Sequence, residues 1–124
     1  MTLPILGLIL LSITLSASAQ VLFKFGMSSD AVKQALASGS AIQAAFAAFL
    51  SAGVLGGLTL YGIGTVLWLG VLSRTEVSQA YPFVGLGFVL TALVGFFLFG
   101  DAIGPLRIVG IALVIGGIFL ISRS

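Results

Sequence analysis

The stretch from Ala41 to Leu72, AIQAAFAAFLSAGVLGGLTLYGIGTVLWLGVL, contains no Asp, Glu, Lys or Arg. An uninterrupted apolar run of this kind reads as membrane-embedded helix rather than as part of a soluble core. As one straight helix it would be about 48 Å long at 1.5 Å per residue, against about 30 Å of bilayer hydrocarbon. It must therefore tilt strongly, protrude or bend. Gly53, Gly56, Gly57, Gly62 and Gly64 supply both places to bend and flat surfaces for close packing.

The rest of the 124-residue chain agrees with that reading. It is 60% hydrophobic and only 6% charged, with a mean hydropathy of +1.32. Soluble domains carry about 25% charged residues because small globules are mostly surface. Too few charges remain here to coat a sphere, so lipid is the outer solvent. The expected fold is an all-α membrane protein, a single four-helix transmembrane bundle. Continuous apolar runs, rather than alternating ones, argue against a β-barrel. With no Cys and no His, disulfides, thiolate metal sites and imidazole catalysis are excluded. No enzyme motif, metal site or cofactor site is expected. A scattered net charge of +2 gives no footprint for nucleic acid.

Outward from the central run, the first span is expected at about 3–23, with Pro4 in its first turn. Ala17-Ser18-Ala19 before Gln20 offers a rival reading as a signal-peptide cleavage site. The absence of Lys or Arg before the apolar run, and its continuation through Phe23, argue for a retained span. Residues 27–40 form a polar connection, in which Asp30 is expected to cap a short interfacial helix, DAVKQALA. Ser40 to Gln43 matches a capping box opening the second helix, over 41–73. The third helix is expected over 77–99, with Pro82 kinking its start. The fourth, 105–122, opens on Pro105.

Four antiparallel spans put both termini on one side. Arg74 and Arg123 then fall on the terminal side, and Lys24, Lys33 and Arg107 on the other. Two cations against three lean weakly toward termini outside the cytoplasm. The same near-balance also fits a protomer that inserts either way and pairs antiparallel.

Polar residues are sparse enough to be informative. Ser12, Ser16, Gln20 and Lys24 recur every four residues in the first span, a polar stripe that drifts slowly round the helix. Asp30, Glu76 and Asp101 all sit in or beside turns, so no span holds a carboxylate at depth. Export of cations against protons usually needs such a carboxylate. The stripe can instead bond hydroxyl-rich or phosphate groups, or it can simply glue helices together. Lys24 and Arg74 are candidates to pair with a lipid phosphate, or they snorkel at the helix ends. Gln79 and Tyr81, beside Pro82, can present polar groups where a kink exposes backbone. In the fourth span, Gly110, Ala112, Gly116 and Gly117 give small surfaces for helix packing or a dimer contact.

Several short patterns resemble the small multidrug resistance type of transporter, within the drug/metabolite transporter superfamily. They are Lys24-Phe25-Gly26, Ala80-Tyr81 with Gly85 and Gly87, Phe99-Gly100-Asp101, and Gly110 with Leu113 and Gly117. Those drug exporters carry a buried glutamate two turns before the lysine, where this chain has Ser16. A nearer resemblance is to the branch that flips lipid-linked sugars, typified by subunits of the aminoarabinose-phosphoundecaprenol flippase. It rests on Ser18-x-Gln20 through Lys24, on Val66-Leu67-Trp68-Leu69-Gly70-Val71-Leu72, on Ala80-Tyr81-Pro82, and on Ile115 to Ile118.

That resemblance implies a multi-pass protein of the bacterial inner membrane that moves a polyprenyl-phosphate-linked sugar between leaflets. It implies membrane lipid as surroundings, and a homodimer or a heterodimer with a paralogous four-helix subunit. Ser16, Gln20, Lys24, Arg74, Gln79 and Tyr81 are then the expected substrate contacts. Two other readings stand beside it. One is a proton-coupled exporter of small cations, with Glu76 drawn inward. The other is an accessory membrane subunit that transports nothing itself. The extended 27–40 connection departs from the family pattern.

Overall fold

Pro4 stands in the first turn of α1 (Leu3–Met27), where a missing N–H breaks no helical bond. The structure, a computed structural model, describes residues 2–124. After α1 come α2 (Asp30–Ala37), α3 (Ala41–Leu50) and α4 (Ala52–Leu72). The third span is composite: α5 (Val77–Ala80), a 3₁₀ turn at Tyr81–Phe83 and α6 (Val84–Phe99). Helix α7 (Pro105–Ser122) closes the chain. Among the described residues, four stretches are long and apolar enough to cross a membrane: Leu3–Met27, Ala52–Leu72, Val77–Phe99 and Pro105–Ser122. The chain is a multi-pass membrane protein built as a four-helix bundle.

Sequence reasoning expected one helix over 41–73; the structure divides it at Ser51. That residue is extended (φ −73°, ψ 142°), ending α3 and capping α4. Its hydroxyl donates to the Ala48 carbonyl at 2.8 Å and accepts from the Val54 N–H at 3.2 Å. One side chain thus satisfies backbone groups at two helix ends. What remains as α4 is 21 residues, about 31 Å at 1.5 Å per residue, which matches the hydrocarbon thickness. The break falls at a serine, before the glycine-rich part of the run.

The polar connection also differs in detail. Ser29, rather than Asp30, caps α2: its backbone is extended and its hydroxyl accepts from the Val32 N–H at 3.4 Å. Asp30 becomes the first helical residue, where its charge favours the positive end of the helix dipole. Ser40 caps α3 by accepting from the Gln43 N–H at 3.2 Å. Gly100 ends α6 in the left-handed region (φ 69°), and the Asp101 N–H donates to the Gly95 carbonyl at 3.0 Å.

Helices α1 and α4 run antiparallel in close contact. Ser12, Ala19 and Gly26 recur every seven residues along α1 and all are buried. That repeat keeps one narrow seam toward its partner. Opposite them stand Gly64, Gly57 and Gly53. A Cβ on Gly53 would lie 2.5 Å from the Gly26 amide nitrogen and 2.7 Å from the Leu22 carbonyl oxygen. A Cβ on Gly57 would lie 2.6 Å from the Phe23 ring. Small residues are what let the two backbones approach.

At the other end of the bundle, Ile9, Ile13, Val71, Ala80, Phe83 and Ile118 form the buried cluster. It gathers the first half of α1, the end of α4, the start of the third span and the end of α7. Both termini therefore lie at one end. Phe25 meets Phe99 at the opposite end, ring centroids 4.8 Å apart.

Gly53→Ala is expected to destabilise the fold by about 1–3 kcal/mol, the usual range for overpacking a close contact. Gly62→Ala, where a Cβ meets nothing within 4 Å, is expected to be neutral. Unfolding by SDS titration in mixed micelles, followed by circular dichroism, separates the two.

Candidate functional site

Where α1, α4 and the third span diverge, they leave an open cavity of about 600 Å³. That volume lies within the usual range of small-molecule sites, about 300–1,000 Å³. Helix α1 contributes Ser12, Ser16 and Gln20, and α4 contributes Tyr61, Thr65 and Trp68. The third span adds Tyr81, Phe88 and Thr91. Among the described residues, no charged side chain lines it.

The four-residue polar ladder of α1 divides because each step turns 40° round the helix, or about 120° from Ser12 to Lys24. Ser12 is 2% exposed, and its hydroxyl donates to the Gly64 carbonyl at 2.7 Å. It touches the cavity, but its proton joins α1 to α4. Ser16 lies beside Gly64, its oxygen 3.3 Å from where a Cβ would stand. Together with Gln20 it faces the cavity. Lys24 has rotated out of the lining and is exposed, at the end of the bundle where Phe25 meets Phe99.

Tyr81 reaches the cavity because Pro82 tightens residues 81–83 into a 3₁₀ turn, which changes the helical register there. Gln79, two residues earlier on α5, is half-buried and does not line the cavity. Arg74 and Glu76 are exposed in the turn between α4 and α5, and neither lines it. The structure thus brings together Ser16, Gln20 and Tyr81, and leaves Lys24, Arg74 and Gln79 outside.

The walls hold donors of two kinds. Thr65 and Thr91 give their protons to their own helices, to Tyr61 at 2.8 Å and to Gly87 and Phe88 at 3.0 Å. Their oxygens can still accept. Ser16, Gln20, Tyr61, Trp68 and Tyr81 line the cavity too and carry donors suited to a ligand. Tyr61 leans on the Phe23 ring at 6.5 Å, and Trp68 packs on the buried apolar cluster. Hydroxyl, amide and indole donors between aromatic faces suit a polar, hydroxyl-rich group with an apolar ring face.

Sequence reading leaves Tyr61 and Trp68 of the apolar run without a fixed environment; both line the cavity. It missed Phe88, one of ten phenylalanines, which no local pattern distinguishes. In α7, the small residues do not share a face. Gly110 lies toward α6, in a groove with Phe88 and Val114. Ala112 and Gly116 are exposed on the far side, and Gly117 is half-buried.

No protein-family model and no solved structure matches the chain. Among curated proteins, 63 residues are 44% identical to the "Probable 4-amino-4-deoxy-L-arabinose-phosphoundecaprenol flippase subunit ArnE" of Pseudomonas savastanoi pv. phaseolicola. The match covers 51% of this chain and 55% of that protein. The protein of the same name from Pseudomonas fluorescens is 47% identical over 62 residues, 50% of this chain and 54% of the relative. "Uncharacterized protein y4nH" of Sinorhizobium fredii is 36% identical over 77 residues, 61% of this chain and 66% of the relative. The chain spans about half the length of the flippase-subunit relatives it matches.

Ser12→Ala is expected to cost about 0.6 kcal/mol, the average for a hydrogen bond between membrane helices. Thr14→Ala should cost less, since that hydroxyl bonds only within its own helix, to Leu10. The same SDS titration measures both.

Proposed function

We propose that this chain is a subunit of a flippase that moves a polyprenyl-phosphate-linked sugar, of the aminoarabinose type, across the bacterial inner membrane. The observation that carries this reading is the cavity itself. It is uncharged, sets the polar groups of Ser16, Gln20 and Thr65 among the walls of Tyr61, Trp68 and Tyr81, and opens between helices that are otherwise apolar. A sugar offers hydroxyls to Ser16, Gln20 and Tyr81 and C–H faces to the rings, while its lipid tail stays in hydrocarbon. The name shared by the Pseudomonas relatives supports the same class.

Lys24 lies one turn beyond Gln20, at the membrane boundary. There a cation meets a lipid phosphate before the sugar enters, and the pairing is strengthened by low dielectric. Arg74 plays the corresponding part at the opposite end, with Gln79 beside the exit. The four helices give half the number found in transporters built from two repeats. A second four-helix chain, identical or paralogous, completes the path. It packs on the outer face of α7 at Ala112 and Gly116.

Translocation is measured in proteoliposomes by the accessibility of the lipid-linked sugar to a membrane-impermeant reagent. Gln20→Ala with Tyr81→Ala is expected to slow it at least tenfold, and Lys24→Glu to abolish it. Insertion and helical content should not change. Wild-type rates in both variants would sink the reading. Glu76→Gln is expected to leave transport and its pH dependence unaltered, whereas a cation exporter working through Glu76 would lose both.

A further inference from the structure

Helix α3 turns its small side chains inward and its large ones outward. At about 100° per residue, Ile42, Phe46 and Phe49 share one face, and Ala41, Ala44 and Ala48 share the opposite one. Ala44 is buried and Ala47 and Ala48 are half-buried; the neighbours of this helix are α2 and α4. Ile42, Phe46, Phe49 and Leu50 are instead 59% to 76% exposed. A helix on the surface of a water-soluble protein has the reverse order, with its bulk inside.

Helix α2 is the complement of α3. Val32 is wholly buried, whereas Asp30, Lys33 and Gln34 are exposed. Their spacing of three and four residues puts them on one face. Helix α3 has no charged residue, and Gln43 is its one polar side chain. Packed together, the two helices have the cross-section of one amphipathic helix: a polar face on α2, a seam of small side chains, and a bulky apolar face on α3.

We infer that α3 lies in one leaflet of the membrane, at the end of the bundle that carries Lys24. Ile42, Phe46, Phe49 and Leu50 sit among the acyl chains, and α2 covers α3 on the water side. The inference is independent of the transport reading. Continuity with the lipid-facing surface is its first support. Only Ser51 separates α3 from the membrane span α4, whose exposed apolar surface begins at Leu55 and Leu58. Phe49 and Leu50 therefore stand at the hydrocarbon boundary. Length is the second support. Ten residues reach about 15 Å at 1.5 Å per residue, half of the roughly 30 Å of hydrocarbon, so α3 stays within one leaflet. Side-chain size is the third, and it selects lipid over a second copy of the chain. Helices that meet inside a membrane approach through small residues. The alanines of α3 already face inward, and its outer face is Phe, Ile and Leu.

The chain has no cysteine, so one substitution places an environment-sensitive fluorophore at a single position. The full chain is reconstituted in phosphatidylcholine vesicles whose lipids carry a nitroxide either near the head group or near the methyl end. Phe46→Cys and Ile42→Cys put the label on the outer face of α3. Gln34→Cys puts it on the polar face of α2, and Ile63→Cys puts it midway along α4, on an exposed side chain that does not line the cavity. All four side chains are exposed, so helical content should match wild type.

Labels at positions 46 and 42 are expected to be quenched several-fold more by the nitroxide near the head group than by the one near the methyl end. Aqueous iodide should hardly reach them. The label at position 63 should show the opposite depth preference, and the one at position 34 should respond chiefly to iodide. Iodide quenching at 46 and 42 equal to that at 34 overturns the inference, because α3 would then stand in water. Shielding from both nitroxides and iodide also overturns it, in favour of a second copy or another protein on that face. Stronger quenching from the methyl end overturns it too, since α3 would then reach the bilayer midplane.

Discussion

Close approach between the backbones of α1 and α4 is the constraint on which the rest of this bundle depends. In lipid there is no hydrophobic force drawing one apolar helix to another, so association must come from contact and from hydrogen bonds. Both are present along one seam. Gly26, Gly53 and Gly57 remove the side chains that would hold the backbones apart, and Ser12 ties the far end to the Gly64 carbonyl. With these two helices joined, the third span can rest on α1 through Ile13 and Gly87. The cavity is the space left where α4 and the third span diverge.

The same seam explains why the polar ladder of α1 does not act as a unit. A four-residue spacing drifts round the helix, whereas a seven-residue spacing stays nearly in place. Ser12, Ala19 and Gly26 follow the second rule and pack. Ser16 and Gln20 follow the first and turn into the cavity, and by Lys24 the stripe has reached the outside. One helix thus supplies both a structural face and a ligand-facing one, with Ser12 at their boundary.

Ser51 resolves a conflict between length and thickness. An unbroken helix over 41–72 would overshoot the hydrocarbon, and breaking it exposes backbone groups at two new ends. The serine hydroxyl satisfies one group on each side. The resulting α3 is a ten-residue apolar helix that packs against α2, at the end of the bundle that also carries Lys24 and Arg107. No glycine is needed for the break; Gly53, Gly57 and Gly64 of α4 are used for packing instead.

Much of this protein is determined by composition and period. The charge-free run from Ala41 to Leu72, the spacing of the other apolar stretches, and Pro4, Pro105 and Gly100 at helix boundaries establish four membrane spans and both termini at one end. These are local properties, readable because lipid thickness and backbone hydrogen bonding act on each segment separately. Which of Ser16, Gln20, Lys24, Arg74, Gln79 and Tyr81 share a cavity was decided only by tertiary structure. That outcome depends on the angle at which helices cross and on a 3₁₀ turn at Tyr81–Phe83. Neither follows from residue type alone. Phe88 is the clearest instance: nothing in its neighbours marks it out. It borders both the cavity and the α6–α7 groove only because α7 packs against α6.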